Sequence, residues 1–218
     1  MHDRKKMKKI IILIPVYNDW ESLEKLLAEI NISIENIKNI EFQCIVINDA
    51  STDPPPKTKV PSNISSLKII TMKENQGHGR CNAFGVRYLS KNDDYDYVIL
   101  MDGDGEDRPE EIKLLVEKAI SISDISVVAK RVKRSEGYFF QFLYQVHKII
   151  TLIFTGKNIN FGNYSCLTKK DIKFLSSKKS LWSSFSGSIK YHIPKLNSIN
   201  SIRGVRYFGP SKMSLFKL

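Results

Sequence analysis

Apolar residues along the first 130 positions come in short unbroken runs, separated by stretches in which they recur every third or fourth residue. Ile10 to Ile14 is one such run, ended by Pro15, and an unbroken run of this length predicts a strand covered on both faces. After it Asp19 stands where it can cap a helix, in which Leu23, Leu26, Leu27 and Ile30 recur at helical spacing. Phe42 to Ile47, Leu67 to Met72, Tyr97 to Met101 and Ile125 to Ala129 predict four more strands, with a helix over Arg80 to Ser90. Alternating strand and helix predict an α/β fold, a mostly parallel central sheet flanked by helices.

Polar loops follow the first four strands: Pro15 to Asp19, Asn48 to Asp53, Glu74 to Gly79, and Asp102-Gly103-Asp104. In an open α/β sheet, ligands bind outside the carboxyl ends of the strands. Asp102 and Asp104 put two carboxylates where the sheet runs out, a donor set suited to a hard divalent cation carrying a diphosphate. Asp and Gly are also common turn residues, so the pair alone is equally a turn. Gly77-His78-Gly79-Arg80 resembles a phosphate cradle, yet it lacks both the dinucleotide and the P-loop glycine patterns. Those glycines serve equally to start the following helix. Asp107-x-x-Glu110 reads as a capping box, which gives Asp107 a structural role.

At 218 residues the chain has ample material for a buried core. Pro54 to Pro61 is an irregular surface loop, since the strand pattern resumes after it. A single domain over 1–218 is expected. The 34 Lys+Arg against 23 Asp+Glu give a net charge of +11, which favours polyanionic partners. Cys44, Cys81 and Cys166 show neither zinc-site nor disulfide spacing. The basic N-terminus leads into a run too short for a signal-peptide core, so a cytoplasmic location is expected.

Taken together, the ordered stretches Ile14-Pro15-Val16-Tyr17-Asn18-Asp19, Asn48 to Asp53, Asn75-Gln76-Gly77-His78-Gly79 and Asp102 to Glu110 resemble the family-2 glycosyltransferases with the Rossmann-like GT-A fold. The polyprenol-phosphate mannosyl- and glucosyltransferase branch is the most similar. Phe161 to Lys169 is similar to its Gly-Asp-Phe-Arg-Leu-Leu-Asp-Arg segment, and Arg206 to Lys212 matches its Arg-x-x-Gly-x-Ser-Lys segment.

The resemblance implies an inverting transfer of sugar from a UDP- or GDP-sugar to a polyprenyl phosphate, with a nucleotide-binding half of about 8–130 and an acceptor- or membrane-facing half of about 131–218. Pro15, Tyr17 and Asp19 would contact the nucleotide, Asp49 its base or ribose, and Gly77 would lie in the cradle. Asp102, Asp104 and Glu106 would hold Mg²⁺ or Mn²⁺. Arg131, Arg134, Arg206 and Lys212 are the cations available to charge growing on the leaving diphosphate. Asn163 and Ser165 depart from the segment's Asp and Arg, which leaves a saccharide hydroxyl in a growing glycan as the alternative acceptor. A catalytically inactive glycosyltransferase-like module is a further alternative.

A phosphate acceptor is already largely ionised at neutral pH and needs no general base, whereas a hydroxyl requires one within reach. Over Tyr138 to Phe154, Gln141, Gln145 and Lys148 recur at helical spacing in an otherwise apolar run. The run is too short and interrupted to span a bilayer, and predicts an amphipathic helix lying at the inner face of an anionic membrane or packed on the sheet. No nucleic-acid motif is present.

Overall fold

The computed structural model describes residues 7–57, 59–121, 125–133 and 160–209. Seven strands are found: β1 (Lys8–Val16), β2 (Ile40–Asn48), β3 (Ser66–Thr71), β4 (Tyr97–Leu100), β5 (Ser126–Lys133), β6 (Phe161–Thr168) and β7 (Leu196–Ile202). They join in one sheet in the order β3-β2-β1-β4-β6-β5-β7. All neighbours are parallel except β6, which runs antiparallel to both β4 and β5. The carboxyl ends of β1 to β5 therefore share one edge with the amino end of β6.

Burial follows the pleat. Along β1, Ile10, Ile12 and Ile14 enter one apolar cluster while Ile11 and Leu13 enter the other, and all five are at most 1% exposed. On the first face lie α1 (Trp20–Ile34), through Leu23, Leu26, Leu27 and Ile30, and α3 (Ile112–Ser121), through Ile112, Leu115 and Val116. The second face is covered by α2 (His78–Leu89), α4 (Lys169–Ser176) and α5 (Phe185–His192). Gly85 lets α2 lie close on β1, since a Cβ there would fall 2.6 Å from Leu13 Cδ2.

The five strands expected from the sequence are all present, with β1, β2 and β5 longer than their apolar runs. Beyond Ala129 the sequence shows no further clear alternation of strand and helix, yet β6, α4, α5 and β7 follow. Edge strand β7 is only partly buried, so it lacks the apolar run that marks a central strand.

Candidate active site

The loops at the carboxyl edge are stitched to one another by polar contacts. Asp49 N–H donates to the Val16 carbonyl at 2.8 Å, Asn18 N–H to Ser51 Oγ at 2.9 Å, and Thr52 N–H to Asn18 Oδ1 at 2.8 Å. Gly103 lies against β1, where a Cβ would stand 3.0 Å from the carbonyl oxygen of buried Pro15. Tyr17 is half-buried beside it.

Asn48 turns inward, donating to Thr71 Oγ1 at 3.2 Å and accepting from Ser51 N–H at 3.0 Å. Asp49 is 3% exposed, and its two oxygens accept the N–H groups of Gln76 and Gly77, both at 2.8 Å. That clamp fixes the loop into α2. Gly77 precedes the helix at φ +85, a conformation L side chains rarely adopt.

Asp102 and Asp104 face different partners. Asp102 Oδ1 meets His78 Nε2 at 2.8 Å and accepts from Asn163 Nδ2 at 3.2 Å. Asp104 Oδ1 accepts from Glu106 N–H at 3.1 Å, and Oδ2 from Arg206 Nη1 at 2.8 Å. The same guanidinium also pairs with Asp19, and Arg203 pairs with Glu106.

Two expected helix caps are corrected by these contacts. Asp19 does precede α1, but its side chain makes no capping bond and goes to Arg206 instead. Asp107 forms no capping box: the residue before the turn Pro109–Glu111 is Arg108, without a side-chain cap. Asp107, 4% exposed, accepts the Asp102 N–H at 2.9 Å, and Arg131 Nη2 stands 3.8 Å from its other oxygen. The polar demand inside the loop outweighs a cap that water could supply.

Residues 203–209 lie over the acidic loop as a strap. Gly204 N–H donates to the Glu106 carbonyl at 2.8 Å and Tyr207 N–H to the Asp104 carbonyl at 3.0 Å. The Tyr207 hydroxyl bonds Glu29, and Lys25 Nζ stands 4.5 Å from its ring centroid. Gly105, at φ +89, leaves room for that ring.

Electrostatics separates the acids. Burial alone would raise the Asp102 carboxyl, but the adjacent His78 imidazole and the Asn163 amide bring it down to about 2. Burial, and then the Asp102 charge, push Asp107 well above the usual carboxylate range. Asp104 is also raised, chiefly by burial. His78 is raised by Asp102 in spite of its burial, which acts the other way.

The structure thus brings together Asp19, Asp102, Asp104, Glu106, Arg131 and Arg206, with Pro15, Tyr17, Asp49 and Gly77 on the adjoining loops. Arg134, Lys212 and the segment Tyr138 to Phe154 lie outside the described residues. His78, Asp107 and Arg203 were missed as site residues. His78 had one sequence signal, its place in a polar loop at the binding edge; Arg203 had none. The three cysteines are free and buried, and among the described residues no helix is long and apolar enough to cross a membrane.

A family model described as Glycosyl transferase family 2 matches residues 11–185. The undecaprenyl-phosphate 4-deoxy-4-formamido-L-arabinose transferase of Salmonella choleraesuis (strain SC-B67) is 31% identical over 175 residues, covering 78% of this chain and 50% of its own length. The protein of the same name from Proteus mirabilis (strain HI4320) is 29% identical over 167 residues, covering 75% and 49%. The chain therefore spans about half the length of the curated relatives it matches.

Two solved structures share the fold. The mannosyltransferase PcManGT from Pyrobaculum calidifontis, in complex with GDP-Man and Mn²⁺, has a TM-score of 0.53 at 15% identity, covering 88% of this chain and 54% of its own. Glucosyl-3-phosphoglycerate synthase from Mycobacterium tuberculosis, in complex with Mn²⁺, UDP-glucose and phosphoglyceric acid, has a TM-score of 0.57 at 14% identity, covering 93% and 73%. The architecture is that of GT-A glycosyltransferases.

Proposed function

Because the chain belongs to glycosyl transferase family 2, we propose that it moves a sugar from a UDP- or GDP-sugar to a polyprenyl phosphate, with Mg²⁺ or Mn²⁺ and inversion at the sugar carbon. The observation that carries this reading is the pair Asp102 and Asp104 at the sheet edge, with Arg206 bonded to Asp104. The acceptor class follows the curated relatives, which are named for undecaprenyl phosphate.

The residues present fit a divalent cation. Asp102, Asp104 and Glu106 offer only hard oxygens, and burial together with the Asp102 charge holds the Asp104 carboxyl up, a penalty that a cation would offset. Among the described residues no group of three or more acids, histidines or cysteines is arranged to hold a cation alone. The donor diphosphate would supply the remaining oxygens. A cation held there would supply charge to offset that growing on the leaving diphosphate.

This chain's own side chains do the rest. Arg206, only 17% exposed, presents a fork of donors that can pass from Asp19 and Asp104 to phosphate oxygens. Arg131, held against Gly162 and Asp107, adds positive potential at the same edge. Pro15 and Tyr17 line the nucleotide side, and Asp49 keeps the Gln76-Gly77 loop closed around it.

A second reading, transfer to a saccharide hydroxyl, draws on Asn163 and Ser165. One carboxylate and one cation expected on the acceptor side are replaced there, and Ser165 is fully buried. Assays offering polyprenyl phosphate and oligosaccharide acceptors to the same donor separate the two.

The test of the main reading is a thermal-shift panel of UDP, GDP and their sugar conjugates, with and without Mn²⁺. Metal-dependent stabilisation by one nucleotide family is expected, together with its loss in Asp104→Asn while the fold persists. Binding that ignores both the metal and that substitution overturns the metal assignment.

A further inference from the structure

Asp102 is held at one oxygen from two sides of the site. Its Oδ1 is met by His78 Nε2 at 2.8 Å and by Asn163 Nδ2 at 3.2 Å, donors that arrive from α2 and from β6. Its backbone N–H is fixed as well, by Asp107. Two donors converging on one oxygen set the plane of the carboxylate. Among the described residues no hydrogen bond reaches the other oxygen, Oδ2.

We propose that His78, with Asn163 beside it, is a positioning residue that turns Oδ2 of Asp102 toward the metal and diphosphate of the bound donor. The proposal rests on the nucleotide-sugar reading above.

The placement of the ring is built into the fold. Asp49 clamps the N–H groups of Gln76 and Gly77, Gly77 adopts φ +85, and His78 is the first residue of α2. The clamp that closes the nucleotide-side loop therefore also aims the imidazole. From the opposite side, β6 runs against β4 with Ser165 paired to Leu100, which carries Asn163 past the end of β4 to Asp102.

This arrangement gives a reason for an amide at position 163. Asp102 and the buried Asp107 already crowd the site. A carboxylate at 163 would set a like charge against Asp102, whereas the Asn amide offers a donor. Groups that orient a metal ligand in this way typically govern metal affinity by about 10- to 100-fold.

The experiment titrates Mn²⁺ into the full chain in the presence of UDP or GDP, with free Mn²⁺ read by electron paramagnetic resonance. His78→Ala and Asn163→Ala are each expected to weaken Mn²⁺ binding by about tenfold or more. His78→Gln, whose amide can still donate, is expected to recover most of the loss. A merely structural role would move unfolding midpoints without that pattern of loss and rescue. Wild-type affinity in His78→Ala, or a Gln variant as weak as the Ala variant, overturns the proposal.

A second measurement needs no substitution of His78. Nitrogen-15 correlation spectra of the wild-type ring are expected to show a hydrogen-bonded proton on Nε2 that is lost in Asp102→Ala. Its absence from the wild type overturns the proposal even if the His78 variants fail to fold. If the wild type binds neither Mn²⁺ nor nucleotide, the nucleotide-sugar reading itself falls, a result distinct from unchanged binding in His78→Ala.

Discussion

Asp107 and Asp102 are five positions apart, yet their environments drive their carboxyls in opposite directions. Asp102 is brought down to about 2 against its burial by His78 and Asn163, whereas burial and the Asp102 charge push Asp107 up. A carboxyl raised in the folded state holds its proton more tightly there than in the unfolded chain. The stability this contributes is complete below the unfolded value, about 3.9, and is lost as pH rises through the folded value. In metal-free protein, the stability advantage of wild type over Asp107→Asn should therefore shrink as pH rises above about 4. Urea denaturation at a series of pH values measures it; an advantage that grows with pH contradicts the assignment.

Arg206 carries the second prediction at this scale. Hydrogen bonds to charged groups are worth about 1.5–3 kcal/mol, so Arg206→Gln should weaken nucleotide binding by about 10- to 100-fold, read by calorimetry. Asp102, Asp104 and Arg206 were legible in the sequence because each sits in an extended motif. Asp107 was misread because a capping box is a local pattern, whereas the side chain answers to the Asp102 N–H inside the loop. Arg203 could not be read at all, since its pairing with Glu106 spans 97 positions and has no signature.

Among the elements, the buried strands and α1 were legible from periodicity, because each must hide an apolar face. The strap was not. Its hold on the acidic loop uses backbone bonds from Gly204 and Tyr207 and the ring of Tyr207 over Gly105, none of which leaves a periodic trace. A Cβ on Gly204 would fall 2.5 Å from the Gly105 carbonyl oxygen, so Gly204→Ala should lift the strap. The expected outcome is weaker nucleotide binding in a thermal-shift assay while the unfolding midpoint stays near that of wild type. A large fall in midpoint with binding intact would mean that the strap serves stability instead.

For the whole molecule, the buried sheet interior sets stability. Ile99 lies in central strand β4 and is 0% exposed, so Ile99→Ala should cost about 2–5 kcal/mol in denaturant unfolding. Under the proposed function, the net charge of +11 would favour attachment to an anionic bilayer at the inner membrane face. Sedimentation with anionic vesicles should fall steeply as salt rises; recovery of all protein in the supernatant at low salt contradicts peripheral attachment.

The pairing of Arg206 with Asp19 joins positions 187 apart. Both apolar clusters draw their fully buried members from residues up to Ile193, with Leu196, Ile199 and Tyr207 only at their margins. Synthesis delivers a chain amino end first. A nascent chain thus owns the buried members of both clusters before Arg206 emerges to close its contact with Asp19.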